Sequence, residues 1–284
     1  MSITIINGGT QGLGEAVARR LVHQGASGLV IGGRSVDKGQ SLAAELTELG
    51  TATIFVRSDM TDPDAPQQLV DVCVERFGAP RGLVNVAAAT SRANLFADTP
   101  EHFDRHFTVN VKAPYFLIQA AANEMLSAGV AGSIVNVGST SAHGGATKLT
   151  SYSMSKGALA IMTKNLAFGL MQHGIRVNQV NPGWMDTEAE HHVQVEQDGA
   201  PENWLEIAEA NSPQGRLVKP WEVANVIAFC LSDESGMMTG NCIDIDRSVL
   251  GAGDVMVPTT ADAVWPQPTG RVLRGRASDD PRSR

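Results

Sequence analysis

Short β-branched runs alternate with helical patterns along this chain, and glycine marks the exchange from helix to strand. Gly25, Gly50, Gly78, Gly129 and Gly174 each close a helical pattern and precede an apolar run. A glycine just past a helix end takes the left-handed conformation at little cost, so it is favoured there. The runs include Leu29-Val30-Ile31, Ala52-Thr53-Ile54-Phe55-Val56, Leu83-Val84-Asn85-Val86, Ser133-Ile134-Val135-Asn136-Val137 and Ile175-Arg176-Val177-Asn178-Gln179-Val180. Such runs read as parallel strands buried on both faces. Helices are expected near 13–24, 37–49, 64–77, 103–128, 151–173 and 220–231, with a last strand at Cys242-Ile243-Asp244-Ile245. Strands alternating with helices define βαβ units, hence an α/β fold whose parallel sheet is covered by helices on both faces.

The first unit carries a recognisable loop. After Ile3-Thr4-Ile5-Ile6 comes Asn7-Gly8-Gly9-Thr10-Gln11-Gly12-Leu13-Gly14. Glycines there let the chain turn tightly and let a pyrophosphate approach the free N–H groups of the following helix. The spacing departs from GxGxxG, but its position between the first strand and first helix is the one such a loop needs. The end of the second strand separates the two nicotinamide cofactors. An acidic residue there binds the ribose 2′-hydroxyl of NAD, whereas arginine pairs with the 2′-phosphate of NADP. This chain reads Gly33-Arg34-Ser35, with no carboxylate, which favours NADP and leaves NAD possible. Stacking of Arg34 on the adenine would suit either. Asp59, after the third strand, is expected at the adenine edge.

Tyr152 and Lys156 lie four residues apart at the start of the fifth long helix, and Ser139 stands thirteen residues before Tyr152. Residues at i and i+4 share a helix face. A lysine beside a phenol favours the phenolate, so the Tyr152 pKa is expected to fall below its ordinary value of about 10. Such a phenol serves as general acid or base at a carbonyl, and the Ser139 hydroxyl can hydrogen-bond the same oxygen.

Together these pieces resemble the short-chain dehydrogenase/reductase family, over residues 3 to about 250. The resemblance rests on the order of the glycine loop, Asp59, Asn85, Asn110, Ser139, Tyr152, Lys156, Asn181-Pro182-Gly183 and Thr187. It implies a doubly wound Rossmann-like α/β fold with a seven-stranded parallel sheet flanked by helices on both faces. It also implies an NAD(P)-dependent enzyme that interconverts a secondary alcohol and a ketone by hydride transfer. Tyr152 would exchange the proton, Lys156 would lower the phenol pKa and bind the nicotinamide ribose, and Ser139 would orient the substrate oxygen. Asn110 would hold a water linking Lys156 to solvent. The dinucleotide would be bound by Gly8, Thr10, Gln11, Gly12, Leu13, Gly14, Arg34, Ser35, Asp59, Met60, Asn85 and Ala87, by Tyr152 and Lys156, and by Pro182, Gly183, Met185 and Thr187. A homotetramer or homodimer packed through the helices near 103–128 and 151–173 is implied as well.

Two departures stand out. Where the family often has Asn-Asn-Ala-Gly, this chain has Asn85-Val86-Ala87-Ala88. Where it often has Asp-Gly-Gly after the last strand, this chain has Asp246-Arg247-Ser248. Residues 184–214 are too long for a simple connection and are expected to form a substrate lid, with a fixed subdomain holding one short helix near 201–210 as the alternative. Residues 251–284 read as an extended tail, with five arginines against two aspartates from Thr269 onward.

Composition excludes several other classes. The net charge of −8 argues against nucleic acid as a partner. No apolar run approaches the length of a membrane span, and no signal peptide is evident. Cys73, Cys230 and Cys242 are isolated and read as reduced residues of a cytoplasmic protein, and no Cys/His spacing suggests a metal. Two other functions remain in view: a silent nucleotide-sensing protein, and a 3-oxoacyl carrier-protein reductase that would dock its partner through Arg92 and Arg105. The expected pocket residues Thr140, Ser141, His143 and Ser91 to Asn94 are polar and suit a hydroxylated substrate. His143 reads as a structural loop residue more readily than as a second acid.

Overall fold

The structure is a computed structural model that describes residues 2–144 and 147–246. Seven strands, β1 (Ile3–Asn7), β2 (Gly28–Gly33), β3 (Ala52–Arg57), β4 (Gly82–Asn85), β5 (Gly132–Val137), β6 (Ile175–Pro182) and β7 (Cys242–Ile245), form one sheet in the order β3-β2-β1-β4-β5-β6-β7. Every pairing is parallel. The helices are α1 (Gly12–His23), α2 (Val36–Glu48), α3 (Ala65–Phe77), α4 (Pro100–Phe107), α5 (Ala113–Ser127), α6 (Thr150–Leu170), α7 (Glu188–His192), α8 (Trp204–Ala210) and α9 (Pro220–Leu231). The chain winds outward from β1 to β3 and then crosses back to β4. That reversal opens a crevice at the carboxyl ends of β1 and β4, where doubly wound sheets bind ligands.

The strands divide their side chains between two cores with a period of two, as a pleated strand must. Ile5, Val30, Leu83 and Ile134 pack with α3, α5 and α6. Their neighbours Ile6, Leu29, Ile31, Val84 and Val135 pack on the other face with α1, α2 and α9. Most of these side chains are fully buried, each stabilising the fold by roughly 1.5–3 kcal/mol relative to exposure. The five punctuating glycines all have positive φ, from +64° at Gly129 to +98° at Gly50.

The helix expected over 103–128 differs from the structure in two ways. It starts earlier, at Pro100, because the Thr99 hydroxyl accepts a hydrogen bond from His102 N (3.2 Å) and proline suits the first turn. It is also interrupted by one wide π turn over Thr108–Lys112. The long segment after β6 holds α7, a π turn (Val193–Gln197) and α8, gathered on a small apolar cluster around Trp204, Ala208 and Leu217. Its first strand-like contact pairs Met185 with Val218. Among the described residues no helix is long and apolar enough to cross a membrane. The tail expected over 251–284, and Arg247 and Ser248, lie outside the described residues.

The glycine loop turns back on itself so closely that a Cβ on Gly14 would stand 1.9 Å from the Gly8 carbonyl oxygen. A Cβ on Gly12 would meet nothing within 4 Å and would suffer only the strain of φ +55°. Gly12→Ala is therefore expected to cost about 1–2 kcal/mol in urea unfolding, and Gly14→Ala distinctly more. Equal losses would show that the loop has room at both positions.

Candidate active site

A single cleft of about 960 Å³ runs along the carboxyl ends of the strands, from the glycine loop to the segment after β6. At one end Gly8, Thr10, Gln11, Gly12 and Leu13 form its floor, with Arg34 and Ser35 beyond β2 and Asp59 and Met60 beyond β3. Ala87 lines the middle, and Gly183, Met185 and Thr187 cover it from the β6 side. Ser139 and Tyr152 face the other end.

Five expected contacts stand behind this wall instead of on it, the buried Lys156 among them. Gly14 packs under Gly8. Pro182 is the last residue of β6, paired with Ile245 of β7. Asn85 is buried and donates to Asn136 Oδ1 at 2.9 Å. Asn110 is also buried: its amide oxygen accepts from Ala89 N (2.8 Å), while its NH2 donates to Ala89 O (3.0 Å) and Ser155 Oγ (2.9 Å). These bonds lie at the π turn and tie it to the chain after β4. Both faces of that amide are thus committed to positioning the cleft wall.

Ser139 follows β5 and begins a short 3-10 turn, its hydroxyl accepting from Ser141 N at 3.1 Å. The same hydroxyl is near enough to the phenol of Tyr152 to favour its ionised form. Lys156 is 2% exposed, and its Nζ donates to the Val137 carbonyl at 2.7 Å, 5.7 Å from the centre of the Tyr152 ring. Burial alone lowers its pKa from 10.5 to about 8.

The expected fall in the Tyr152 pKa is not what this geometry gives. Removal of the phenol from water raises it above its ordinary value; the Ser139 hydroxyl and the Arg92 charge pull it down, and the Glu190 charge pushes it up. The reason is positional: the Lys156 ammonium is spent on the strand carbonyl, and no contact brings it to the phenol oxygen.

Several residues that sequence reasoning did not single out complete the site. Lys38, in the first turn of α2, donates to Gln11 of the glycine loop (3.2 Å) and to Glu188 of α7 (3.4 Å). Asp98 accepts from Ser151, the residue before Tyr152, and its other oxygen bonds His102 Nδ1 at 2.6 Å. His102 Nε2 in turn meets Ser91 Oγ at 2.9 Å. This chain of bonds fixes the start of α6 against the loop after β4, which also pairs Ala93 with Leu149. No local sequence signal announces such a network, because its members come from three separate segments. His143 does not line the cleft; it meets Asp244 at 3.1 Å, in keeping with a structural loop residue. Arg92 turns inward to Glu190 (2.7 Å) and Asp198, and so presents no outward docking charge.

The residues present fit a dinucleotide. Gly12 leaves open space where any side chain would project, and the buried Asn7 Nδ2 at the cleft floor has no hydrogen-bond partner among the described residues. A doubly wound sheet whose switch-point cleft has a glycine loop at one end and Tyr152 with Ser139 at the other defines a nicotinamide-dependent oxidoreductase.

The comparisons narrow this class. A family described as Enoyl-(Acyl carrier protein) reductase matches residues 8–248. The chain is 35% identical over 243 residues to an L-rhamnose 1-dehydrogenase (NAD(P)(+)) of Sphingomonas sp. (strain SKA58), covering 85% of this chain and 93% of that protein. It is 31% identical to a 2,5-dichloro-2,5-cyclohexadiene-1,4-diol dehydrogenase of Sphingobium indicum, covering 86% and 94%. Among solved structures, an actinorhodin polyketide ketoreductase with NADPH gives a TM-score of 0.81 at 26% identity, covering 87% and 96%. An NAD+-bound xylitol dehydrogenase gives 0.80 at 26%, covering 87% and 98%. The chain belongs to the short-chain dehydrogenase/reductase family. It is an NAD(P)-dependent oxidoreductase that interconverts secondary alcohols and ketones.

The buried lysine makes stability depend on pH in a defined sense. Its folded pKa lies below its unfolded value, so the cost of burying the ammonium is complete below about pH 8 and disappears as pH rises through 10.5. Relative to Lys156→Met, the wild type should gain up to about 3 kcal/mol of stability between pH 7 and pH 10.5, at about 1.4 kcal/mol per pKa unit. A difference independent of pH in urea unfolding would mean that Lys156 is not buried as an ammonium.

Proposed function

We propose that this enzyme is an NADP-dependent ketoreductase and alcohol dehydrogenase in which Tyr152 exchanges the proton with the substrate oxygen. The observation that carries this reading is the convergence of Tyr152 and Ser139 on one end of a cleft whose other end is the glycine loop. The bound dinucleotide supplies or accepts the hydride. The chain's own groups do the rest. Ser139 hydrogen-bonds the substrate oxygen beside the phenol and so fixes its angle to Tyr152. Tyr152 gives its proton in reduction and takes one in oxidation. Lys156 anchors α6 to β5 through Val137 O, and the family resemblance gives it the further role of binding the nicotinamide ribose. Asn110 holds Ala89 and Ser155, so its part is to shape the wall behind Lys156.

Arg34, Ser35 and Lys38 support NADP over NAD. They bring two cations and a hydroxyl to the end of β2 and the first turn of α2, and no carboxylate stands between Gly33 and Val36. Arg34 is near enough to Asp59 to help hold that carboxyl below its usual range, although the Thr61 bonds contribute more. A 2′-phosphate would draw both cations. The segment 184–214 is read as a flap over the nicotinamide end, hinged after Gly183 and closed by the Arg92–Glu190 and Lys38–Glu188 pairs. A homotetramer or homodimer in the cytoplasm fits the family and the exposed Tyr115, Phe116, Ile161 and Phe168 on α5 and α6. The carrier-protein reading is weaker, because Arg92 is neutralised inside the cleft.

Tyr152→Phe should lower kcat by about 10²–10⁴ while NADPH still binds, as read by fluorescence titration. Retention of more than about a tenth of wild-type turnover would remove Tyr152 from the proton transfer. Arg34→Ala should weaken NADPH binding at least about tenfold and NADH binding little, since a charge-assisted bond is worth roughly 1.5–3 kcal/mol. Equal losses would assign Arg34 to adenine stacking instead.

A further inference from the structure

Arg92, on the loop after β4, and Glu190, on α7, are 98 residues apart and meet across the substrate end of the cleft. Glu190 Oε1 is unusually crowded. It accepts from Arg92 Nη2 (2.7 Å), Trp184 Nε1 (2.7 Å) and Gln194 Nε2 (2.7 Å). Three donors pin one oxygen, and among the described residues the other, Oε2, accepts no hydrogen bond from protein. Arg92, Trp184, Glu190 and Gln194 line the same cleft as Tyr152 and Ser139. The Glu190 and Arg92 charges act on the Tyr152 phenol in opposite senses, so both stand close to where the reacting oxygen must lie.

A mere latch between flap and loop needs only the Arg92 pair. The indole and the amide of Gln194 do something more: they fix the rotation of the carboxylate and leave its second oxygen as an oriented acceptor. The wall also sets a sign. Arg92 faces two carboxylates, Glu190 and Asp198, so its positive charge is more than matched and an anionic group would be repelled there. Across the cleft the lining is hydroxylic, with Thr140 and Ser141 beside Ser139.

We propose that Glu190, held by Arg92, Trp184 and Gln194, is the specificity-determining residue, and that it selects a neutral polyhydroxylated alcohol by accepting a hydrogen bond from a hydroxyl near the reacting carbon. The proposal rests on the reading of Tyr152 and Ser139 as the groups that hold the substrate oxygen. A site built to bond a substrate hydroxyl discriminates strongly against an analogue lacking it, because its own polar group is then left unpaired.

The test compares kcat/KM with NADP+ for neutral four- to six-carbon polyols and aldoses, the matching aldonates, and cyclohexanol. The wild type should prefer the neutral polyols over the aldonates at least tenfold. Glu190→Gln should reduce kcat/KM for the best polyol at least tenfold more than for cyclohexanol. Glu190→Asp, which keeps the charge but withdraws it by one methylene, should shift the ranking the same way; NADPH fluorescence reports that each variant is folded. Equal losses on polyol and cyclohexanol, or a preference for aldonates, would overturn the proposal and leave Glu190 a latch. Wild-type turnover of none of these alcohols would instead count against the Tyr152–Ser139 reading. Calorimetry on the NADP-bound enzyme then decides separately: polyol binding that Glu190→Gln abolishes upholds the Glu190 role, and no polyol binding overturns it.

Discussion

A buried ammonium holds this site together. Lys156 comes from the second turn of α6 and donates to the last carbonyl of β5, Val137 O, at 2.7 Å. An ammonium in the interior is costly unless it is hydrogen-bonded, so the bond fixes both the depth and the rotation of α6 on the sheet. Tyr152, one helical turn earlier, is thereby delivered to the mouth of the cleft, and Ser139, two residues beyond Val137, is delivered from the strand side. One interaction across the β5–α6 unit sets the separation of both hydroxyls.

Polar groups extend that scaffold through the sheet. Asn85 donates to Asn136, Asn136 to Thr163 of α6, Thr163 to Gln179, Gln179 to Asn181, and Asn181 to Asp244, over distances of 2.7–3.2 Å. Most of these side chains are fully buried. Such a chain of buried hydrogen bonds admits few alternative packings, because slipping a strand would break its amide pairs. It crosses from β4 to β7 beneath the cleft, so the floor is rigid while the flap above is held by surface and half-buried ion pairs.

Much of this was legible in the sequence. The five glycines at helix ends, the β-branched runs and the glycine loop led to the parallel sheet, and Ser139, Tyr152 and Lys156 led to one end of its cleft. What was not legible depends on pairs distant in the chain. Thr108–Lys112 reads as ordinary helix; its widening accompanies the bonds from Asn110 to Ala89 and Ser155. Asn85 is expected as a cofactor contact from the family resemblance, but its amide NH2 donates to Asn136 of the neighbouring strand. The shift of the Tyr152 phenol was read from the i, i+4 spacing to Lys156, whereas the third partner, Val137, decides where the ammonium points. Arg92 reads as a surface charge until Glu190 and Asp198 are brought to it.

The most direct test of this account is an NMR titration of the free protein labelled with 15N at the lysine side chains. One of the six lysines should titrate with a midpoint near 8, and its signal should be missing from Lys156→Met. If no lysine signal moved near pH 8, or if the one that did survived in the variant, the ammonium would not be buried against Val137, and the positioning of Tyr152 and Ser139 would need another explanation.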